Sequence, residues 1–357
     1  MSNKTREVLV GNVAIGGGAP VRVQSMGNIS PYDETAILNQ ILRCAELGCE
    51  IFRLTVPDER AAKVLGRVRK ASPIPIVADI HFDYKCALAA IANGADALRI
   101  NPGNIGSLEK VRAVVAAAKE KKLPIRIGVN LGSLERGLAQ KLRCGELTVA
   151  EALCQSAFNH VEILENEGFR DIVISAKASN TLETIEVYRA LSQRTNYPLH
   201  IGVTEAGTFL PGTVRSSVAL GILLSEGIGD TLRVSLTDKP ESEVRVGVEI
   251  LRSLGLRETG PSIVSCPTCG RTHVDLLKIS RETEEALEAL YRKAPRKNFP
   301  KVAVMGCAVN GPGEAKGADI ALCGGNGEFL LFVKGESVCK VSEEDAVRKV
   351  LEYAAVL

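Results

Sequence analysis

The sequence predicts a (β/α)8 barrel followed by a smaller α/β domain. Three observations support this prediction: eight short β-branched runs alternate with amphipathic stretches, the alternation ends near residue 255, and a Cys-x-x-Cys pair lies beyond it. Continuous apolar strands separated by helices are typical of a parallel sheet that is covered on its outer face. The alternative is a doubly wound open sheet.

The predicted strands are short, and each ends in a polar or charged residue. The longest interval separates the fifth strand from the sixth, which predicts an additional helix near Leu147–Asn166. Eight such units are the number that closes a barrel of this type. The predicted strands are Val21–Met26, Ile51–Val56, Ile74–Ile80, Ala97–Asn101, Ile125–Asn130, Ile172–Lys177, Leu199–Glu205 and Leu232–Thr237.

Glycine and proline end this alternation. Gly255, Gly260 and Pro261 interrupt regular structure and predict a domain boundary. We therefore expect a barrel domain over residues 1–258 and a second α/β domain over residues 259–357. The second domain is predicted to contain strands at Ser262–Ser265, Val302–Met305, Asp319–Cys323, Glu328–Val333 and Val338–Val341, and helices at Asp275–Lys293 and Glu343–Ala354.

The composition excludes several classes of partner. The 357-residue chain has 44 Lys and Arg against 42 Asp and Glu, and aromatic residues make up only 4%, so a nucleic-acid surface is not expected. No apolar run is long enough to span a bilayer, and residues Met1–Val10 lack the apolar region of a secretory signal. We expect a cytoplasmic protein with no membrane partner, whose ten cysteines are thiols or metal ligands rather than disulfides.

Three cysteines stand in turns that follow predicted strands. Cys266 and Cys269 form the Cys-x-x-Cys pair, and Cys307 opens a glycine- and proline-rich loop that can bring Glu314 back toward it. Three thiolates and a carboxylate favour an iron–sulfur cluster with one exchangeable iron, because carboxylate binds that iron less tightly than thiolate does. The spacing leaves open a structural zinc site in which His273 replaces Glu314.

The other cysteines are weaker candidates, since free cysteine often behaves as a small buried apolar residue. No role is assigned to Cys44, Cys49, Cys86, Cys144, Cys154, Cys323 or Cys339.

Polar residues at the predicted strand ends form the second candidate site, because barrel active sites lie at the carboxyl ends of the strands. Five of these residues are cations. Burying unpaired cations is costly, whereas guanidinium groups match phosphate oxygens, so the pattern predicts a phosphorylated ligand. The candidate binding residues are Arg53, Arg99, Asn101, Arg126, Asn130, Lys177, Arg233 and Ser235. His81 and Glu205 are candidates for proton transfer.

Several long motifs occur in one order along nearly the whole chain. They are Val23-Gln-Ser-Met26, Ala78-Asp-Ile-His-Phe82, Arg99-Ile-Asn-Pro-Gly-Asn-Ile-Gly106, Ile127-Gly-Val-Asn130, Gly202-Val-Thr-Glu-Ala-Gly207, Gly227-Ile-Gly-Asp230, Arg233-Val-Ser-Leu-Thr237, Cys266-Pro-Thr-Cys-Gly270 and Met305-Gly-Cys-Ala-Val-Asn-Gly-Pro-Gly-Glu314. In these motifs the sequence resembles the bacterial 4-hydroxy-3-methylbut-2-enyl diphosphate synthase family of the non-mevalonate isoprenoid pathway.

The resemblance implies a barrel joined to a small reductase-like iron–sulfur domain. It implies that Cys266, Cys269, Cys307 and Glu314 bind a [4Fe–4S] cluster and that the strand-end cations bind a diphosphate. The implied reaction is the two-electron reductive ring opening of 2-C-methyl-D-erythritol 2,4-cyclodiphosphate, with Glu314, Glu205 and His81 as the catalytic candidates. A homodimer is also implied. Because the chain contains no nicotinamide or flavin motif, we expect flavodoxin or ferredoxin as an external electron donor.

Two functions of other classes are the alternatives. One is a pterin- or corrinoid-type methyltransferase barrel with a structural zinc module, which iron content would distinguish. The other is a non-enzymatic zinc-ribbon scaffold that binds an acidic partner. The cations stand at strand ends rather than on one outer face, which disfavours the scaffold.

Overall fold

The fold is described from a computed structural model that covers residues 5–257, 260–296, 298–309 and 311–357. The side chains of Pro102, Pro312 and Glu314 also lie outside the described part. The chain divides into two compact units, Met1–Arg257 and Glu258–Leu357, and each is described by itself.

The first unit is a parallel barrel. Its strands follow the spatial order β8-β7-β6-β5-β4-β3-β10-β9, and an Ile174–Leu199 bridge joins the two ends of that order. An antiparallel hairpin, β1 (Val8–Val10) and β2 (Val13–Ile15), precedes the barrel. The barrel strands are β3 (Arg22–Met26), β4 (Ile51–Thr55), β5 (Ile76–Asp79), β6 (Ala97–Ile100), β7 (Ile125–Asn130), β8 (Ile172–Lys177), β9 (His200–Ile201) and β10 (Thr231–Leu232).

Helices on the outside connect these strands. Side chains of Asp33, Asp58, Asp83, Thr148 and Asn180 accept hydrogen bonds from the first amides of five of the helices, which explains where those helices begin. The helices are α1 (Glu34–Glu46), α2 (Glu59–Ala71), α3 (Tyr84–Ala92), α4 (Pro102–Ile105), α5 (Leu108–Glu120), α6 (Arg136–Arg143), α7 (Val149–Asn166), α8 (Thr181–Arg194), α9 (Phe209–Ser225) and α10 (Pro240–Ser253).

Strand alternation separates the two apolar regions of the barrel. Leu98 and Ile100 belong to the large core that includes residues of the surrounding helices, whereas Ala97 belongs to a small cluster with the hairpin residues Val10 and Ile15. Residues two apart on a strand share a face, so Arg99 points into the barrel above Ala97. The hairpin therefore covers an apolar lower end, and the charged residues occupy the interior above it.

The predicted barrel is confirmed, with two local differences. The strands predicted at Leu199–Glu205 and Leu232–Thr237 are only two residues long, and Glu205, Arg233 and Ser235 lie in the loops that follow. The helix predicted at Leu147–Asn166 is present as α7, but it is the crossover helix from β7 to β8. The additional helix is the short α6, whose lack of buried residues left a weak signal in the sequence.

The second unit contains one mixed sheet in the order β11-β12-β13-β14-β15, of which the first three strands are parallel. One face packs against α11 and α13 through a cluster that includes Leu287, Val304, Leu322 and Val350. The strands are β11 (Ser262–Ser265), β12 (Lys301–Met305), β13 (Ile320–Gly324), β14 (Glu328–Val333) and β15 (Glu336–Ser342). The helices are α11 (Leu276–Lys293), α12 (Gly311–Glu314) and α13 (Glu343–Val356).

None of the helices within the described ranges combines the length and apolar character that crossing a bilayer requires.

Tyr188 supports the short strand β9. The buried hydroxyl of Tyr188, on α8, donates a hydrogen bond of 2.7 Å to the carbonyl oxygen of His200. Tyr188→Phe leaves this buried carbonyl without its donor and should lower the free energy of unfolding by about 1–2 kcal/mol. Urea denaturation measures the change. Tyr84→Phe is the control, because the Tyr84 hydroxyl makes no hydrogen bond within the described residues, and an equal loss in both variants would contradict the prediction.

Candidate functional site

Asp79 lies at the centre of the charged barrel interior. Its side chain is 2% exposed and pairs with Arg53 at 3.6 Å and with Arg99 at 3.2 Å. Burial alone would raise the pKa of this carboxyl, but Arg53 and Arg99 hold it below the ordinary value. Asp79 is therefore ionised and fixes two of the predicted cations in place.

Glu243 fixes Arg233 in place, as Asp79 fixes its two arginines. This buried carboxylate comes from α10 and accepts hydrogen bonds from Arg233 Nη2 at 2.9 Å, from Ser25 Oγ at 2.9 Å and from the Leu236 amide at 3.0 Å. Glu243 was not among the residues predicted from the sequence. The available signal was an acidic residue among the apolar residues Pro240, Val244 and Val246, in the stretch that forms α10.

Arg126 has no anionic partner among the described residues. It is 6% exposed, and neither Nη1 nor Nη2 has a hydrogen-bond partner. Burial, with Arg53 and Arg99 nearby, lowers its pKa well below the ordinary value, yet a guanidinium keeps its proton in proteins. A buried charge without a counterion is destabilising, which indicates that an anion completes this site.

Lys177 is the second such cation. Its Nζ lies 3.3 Å from His200 Nε2, and His200 Nδ1 lies 2.8 Å from Thr231 Oγ1. Burial, followed by the charges of Arg233 and Arg126, lowers the pKa of Lys177 well below that of free lysine. Burial and the same cations lower the pKa of His200, so this imidazole is neutral.

The interior consequently carries an excess of positive charge. Five cations lie together, and the carboxylates that pair with them in the described residues are Asp79 and Glu243, which leaves an excess of three. Such an arrangement fits a multiply charged anion with several oxygen acceptors, as phosphate groups provide.

Two glycines provide space for these side chains. A Cβ atom at Gly128 would lie 2.2 Å from Arg99 Nε, and one at Gly202 would lie 2.8 Å from Lys177 Nζ. Arg99 also donates a hydrogen bond of 3.2 Å to the Gly128 carbonyl oxygen. The motifs Ile127-Gly-Val-Asn130 and Gly202-Val-Thr-Glu-Ala-Gly207 contained these glycines, but the sequence alone did not show what they accommodate.

The position of Arg126 differs from the prediction. Arg126 was grouped with the strand-end residues, but it is the second residue of β7, whose bounds Ile125–Asn130 agree with the predicted strand. Its side chain borders a small internal cavity lined also by the hairpin residues Val10 and Ile15. Arg126 therefore lies deep in the barrel, on the strand row that joins it to Arg99.

Asn101 directly follows β6 and Asn130 is the last residue of β7, and the turns that they begin are in contact. Asn101 Nδ2 approaches the Ser133 carbonyl oxygen at 3.5 Å, and Ser133 Oγ bonds the amide and the carbonyl of Asn130. Ser235 is half-buried in the loop after β10.

The two proton-transfer candidates differ in their surroundings. His81 is half-exposed, and its Nε2 lies 4.0 Å from Asp79 Oδ2. Glu205 is exposed and has a φ of 53°, a left-handed conformation that is uncommon outside glycine. Residues held in such conformations concentrate at functional sites, and this one lies in the loop after β9.

The cysteine turns of the second unit meet at one edge of its sheet. Cys266 follows β11 and Cys307 follows β12, and these neighbouring strands are parallel, with Ser265 opposite Val304. The Gly306 amide donates a hydrogen bond of 3.2 Å to Cys266 Sγ. Backbone N–H groups directed at a cysteine sulfur stabilise the thiolate that a metal centre requires.

Close packing joins the third cysteine to this edge. The turn after Cys269 is closed by bonds between its backbone and Thr272, and a Cβ at Gly306 would lie 2.9 Å from Thr272 Oγ1. Cys269 is exposed, while Cys266 and Cys307 are half-buried. The donor set of three accessible thiols with glycine between them fits a bulky cluster. Glu314 closes α12, and its side chain lies outside the described part.

Within the described residues, no group of three or more His, Cys, Asp or Glu side chains is arranged to hold a metal ion, which applies to the zinc set with His273 and to the three cysteines alike. His273 is exposed. A [4Fe–4S] cluster binds each thiolate through a different iron, so its ligands need not converge on one point as the ligands of zinc do.

The remaining cysteines are all free thiols, and most are buried. Cys323 lies closest to the cysteine edge, where a Cβ at Gly311 would be 3.0 Å from its Sγ. Burial, with a smaller effect of Cys307, raises the pKa of Cys323 to about 11, so it is a protonated packing residue in this structure.

These features fit a class: a barrel enzyme whose charged interior suits an anionic ligand, followed by a second unit with three accessible thiols at one sheet edge. The comparisons are more specific. The chain belongs to the GcpE family, since the GcpE TIM-barrel domain matches residues 5–248 and the GcpE protein C-terminal domain matches residues 262–355. The family resemblance drawn from the motifs is thereby confirmed.

Relatives match over nearly the whole chain. A protein from Geobacter sulfurreducens is 55% identical over 97% of this chain and 95% of its own length, and one from Clostridium acetobutylicum is 53% identical over 98% and 97%. Both are named 4-hydroxy-3-methylbut-2-en-1-yl diphosphate synthase (flavodoxin). These relatives do not favour the methyltransferase alternative.

The barrel also resembles a solved dihydropteroate synthase from Xanthomonas albilineans. The TM-score is 0.51 at 16% identity, covering 70% of this chain and 97% of that one. At this identity the likeness shows the fold alone.

The unpaired cations should lower the stability of the ligand-free protein. Lys177→Met should raise the free energy of unfolding of the ligand-free protein at pH 7 by about 1–3 kcal/mol, because a buried charge is replaced by an apolar side chain. The folded-state pKa of Lys177 is depressed, so its penalty lessens as the pH rises toward 10.5 and the gain from methionine should shrink. Urea denaturation across this pH range measures both effects.

Asp79→Asn is the matched comparison. It leaves two arginines without their carboxylate and should lower stability by about 3–5 kcal/mol. Equal stability of Lys177→Met and the unsubstituted protein at pH 7 would show that Lys177 is already compensated.

Proposed function

We propose that this chain is a 4-hydroxy-3-methylbut-2-en-1-yl diphosphate synthase, an oxidoreductase of isoprenoid biosynthesis that reductively opens 2-C-methyl-D-erythritol 2,4-cyclodiphosphate. The observation that carries the proposal is the excess of three positive charges inside the barrel, which fits a diphosphate. The names of the relatives, at up to 55% identity, support the same reaction.

In this proposal the barrel, residues 1–258, binds the substrate. Arg126 and Lys177, which pair with no carboxylate among the described residues, neutralise the diphosphate, while Asp79 orients Arg53 and Arg99 toward it. Asn101, Asn130 and Ser235 offer neutral donors around the charged groups, and Arg233 is held in place by Glu243. The glycines at 128 and 202 leave the guanidinium and ammonium groups room to meet phosphate oxygens.

Residues 259–357 hold the cofactor in this proposal. Cys266, Cys269 and Cys307 would bind a [4Fe–4S] cluster, with Glu314 as its fourth ligand. When bound, such a cluster supplies single electrons and a Lewis-acidic iron. The amide of Gly306 donates a hydrogen bond to Cys266 Sγ and helps to hold that ligand in position.

His81 and Glu205 are the proposed proton-transfer residues. The Nε2 atom of His81 lies 4.0 Å from Asp79 Oδ2, which places the ring beside the charged interior. Glu205 is exposed on a loop and free of charged partners within the described residues, which suits a group that exchanges protons with solvent.

The partners follow from the same chemistry. Flavodoxin is the proposed electron donor, in line with the names of the relatives, and ferredoxin is the alternative. We place the enzyme in the cytoplasm as a homodimer, with neither nucleic acid nor a membrane as a partner.

Anaerobic purification tests the proposal directly. The protein should be brown, contain about four irons per chain and convert the cyclic diphosphate to the linear allylic diphosphate with reduced flavodoxin. Iron analysis and product detection are the measurements. Stoichiometric zinc without iron after anaerobic reconstitution would contradict the proposal.

Arg126→Met tests the barrel part alone. Loss of an unpaired guanidinium that meets phosphate should raise KM for the cyclic diphosphate at least about tenfold, with iron content unchanged. Arg112→Met is the control, because Arg112 is exposed and pairs with Glu167 on the outside of the barrel. An unchanged KM for Arg126→Met would mean that this arginine serves the barrel only structurally.

A further inference from the structure

Two turns at the carboxyl end of the barrel carry candidate substrate residues. Asn101 precedes α4, and its Oδ1 accepts a hydrogen bond of 3.1 Å from the Gly103 amide. Asn130 precedes a single 3-10 turn, Leu131–Ser133, and is bonded to Ser133. The 3.5 Å approach of Asn101 Nδ2 to the Ser133 carbonyl is a weak direct link between the turns.

His160 lies behind both turns. It belongs to α7 and is 1% exposed. Its Nε2 lies 3.5 Å from Glu135 Oε1, and Glu135 is the second residue after the 3-10 turn. Asn159 Nδ2 approaches the same carboxylate oxygen at 3.4 Å. Helix α7 thus holds the segment after Asn130 through two neighbouring side chains.

The same imidazole contacts the other turn. A Cβ atom at Gly103 would lie 2.8 Å from His160 Nε2 and 3.3 Å from Asn101 Oδ1. The backbone of α4 therefore rests against the ring, and only glycine allows this approach. His160 is in contact with one turn through Gly103 and with the other through Glu135.

The surroundings of His160 and Glu135 set the charge states of the two side chains. Burial lowers the pKa of His160, opposed by Glu135, so the ring is neutral near pH 7. Burial would raise the pKa of Glu135, but Ser156 and then its other neighbours lower it overall, so the carboxylate is ionised. A neutral ring beside an ionised acceptor can donate Nε2–H to it.

We propose that His160 is a positioning residue, which sets the α4 turn and the 3-10 turn against each other so that Asn101 and Asn130 face the substrate together. The inference rests on the proposed function, which assigns both asparagines to substrate binding. A buried histidine that only filled the core would stabilise α7 without affecting the substrate.

His160→Ala is the first test. Loss of the ring should raise KM for the cyclic diphosphate about tenfold with kcat nearly unchanged, because misplaced ground-state contacts affect binding. His160→Gln retains a donor for Glu135 and should recover part of the loss. Cys154→Ala is the control: Cys154 is equally buried on α7 but contacts the Val187 carbonyl of α8. It should lose stability without a change in KM.

Gly103→Ala tests the same contact from the other side and does not require His160→Ala to fold. Its new methyl group would collide with His160, so KM should rise. The double variant Gly103→Ala/His160→Ala should then be less impaired than the product of the two single effects, because the collision is removed. Strictly multiplicative effects, or an equal KM increase in Cys154→Ala, would overturn the proposal.

Amide hydrogen exchange in the full-length protein separates this inference from the proposed reaction. In His160→Ala, amides of residues 101–106 and 130–135 should exchange faster than in the unsubstituted protein and in Cys154→Ala. Faster exchange without turnover in any variant would mean that the positioning role holds and the proposed reaction fails. Unchanged exchange would overturn the positioning role even in an active enzyme.

Discussion

The barrel depends on positive charge that is buried in excess. Aliphatic side chains ordinarily fill the interior of a (β/α)8 barrel, but here Arg53, Arg99, Arg126 and Lys177 occupy it. Desolvation of these groups is costly, and Asp79 offsets only part of the cost. The protein without its ligand is therefore less stable than its fold allows. The proposed diphosphate would complete the interior as an apolar layer does in another barrel.

The rest of the barrel is built around that constraint. Below the charged layer, the β1–β2 hairpin and small apolar side chains close the lower end, which keeps water away from the cations on that side. The apolar lower end reduces the local dielectric constant, which strengthens the electrostatic contacts of the cations above it. Gly128 and Gly202 leave out side chains where long cations need space. The apolar packing at the lower end of the barrel thus offsets the cost of the uncompensated positive charge above it.

The sequence predicted what depends on local pattern and missed what depends on distant pairing. Alternating apolar runs indicated the eight strands, and the cysteine spacing indicated the edge where Cys266 and Cys307 meet. The two-residue length of β9 and β10 was not predictable, since their neighbours and Tyr188 define them. Glu243 was missed although Arg233 lies only 10 residues before it, because its other partner, Ser25, lies 218 residues away in the chain and only the folded barrel shows that this carboxylate is buried. Arg126 was grouped with the strand-end residues, although the predicted strand Ile125–Asn130, which β7 reproduces, already has it in second position.

Both units gather their functional residues by one rule, although they share no sequence pattern. Parallel neighbours have their carboxyl ends at the same edge, so residues that follow them meet there without long-range design of the loops. In the barrel this brings Asn101 and Asn130 together, and in the second unit it brings Cys266 and Cys307 together. The rule fixes where the residues lie but not how they are oriented. Orientation needs supporting groups from behind: the Glu243 carboxylate holds Arg233, and the backbone amide of Gly306 holds Cys266. Substitutions at such supporting positions should therefore affect function through geometry, even though these residues carry none of the chemistry themselves.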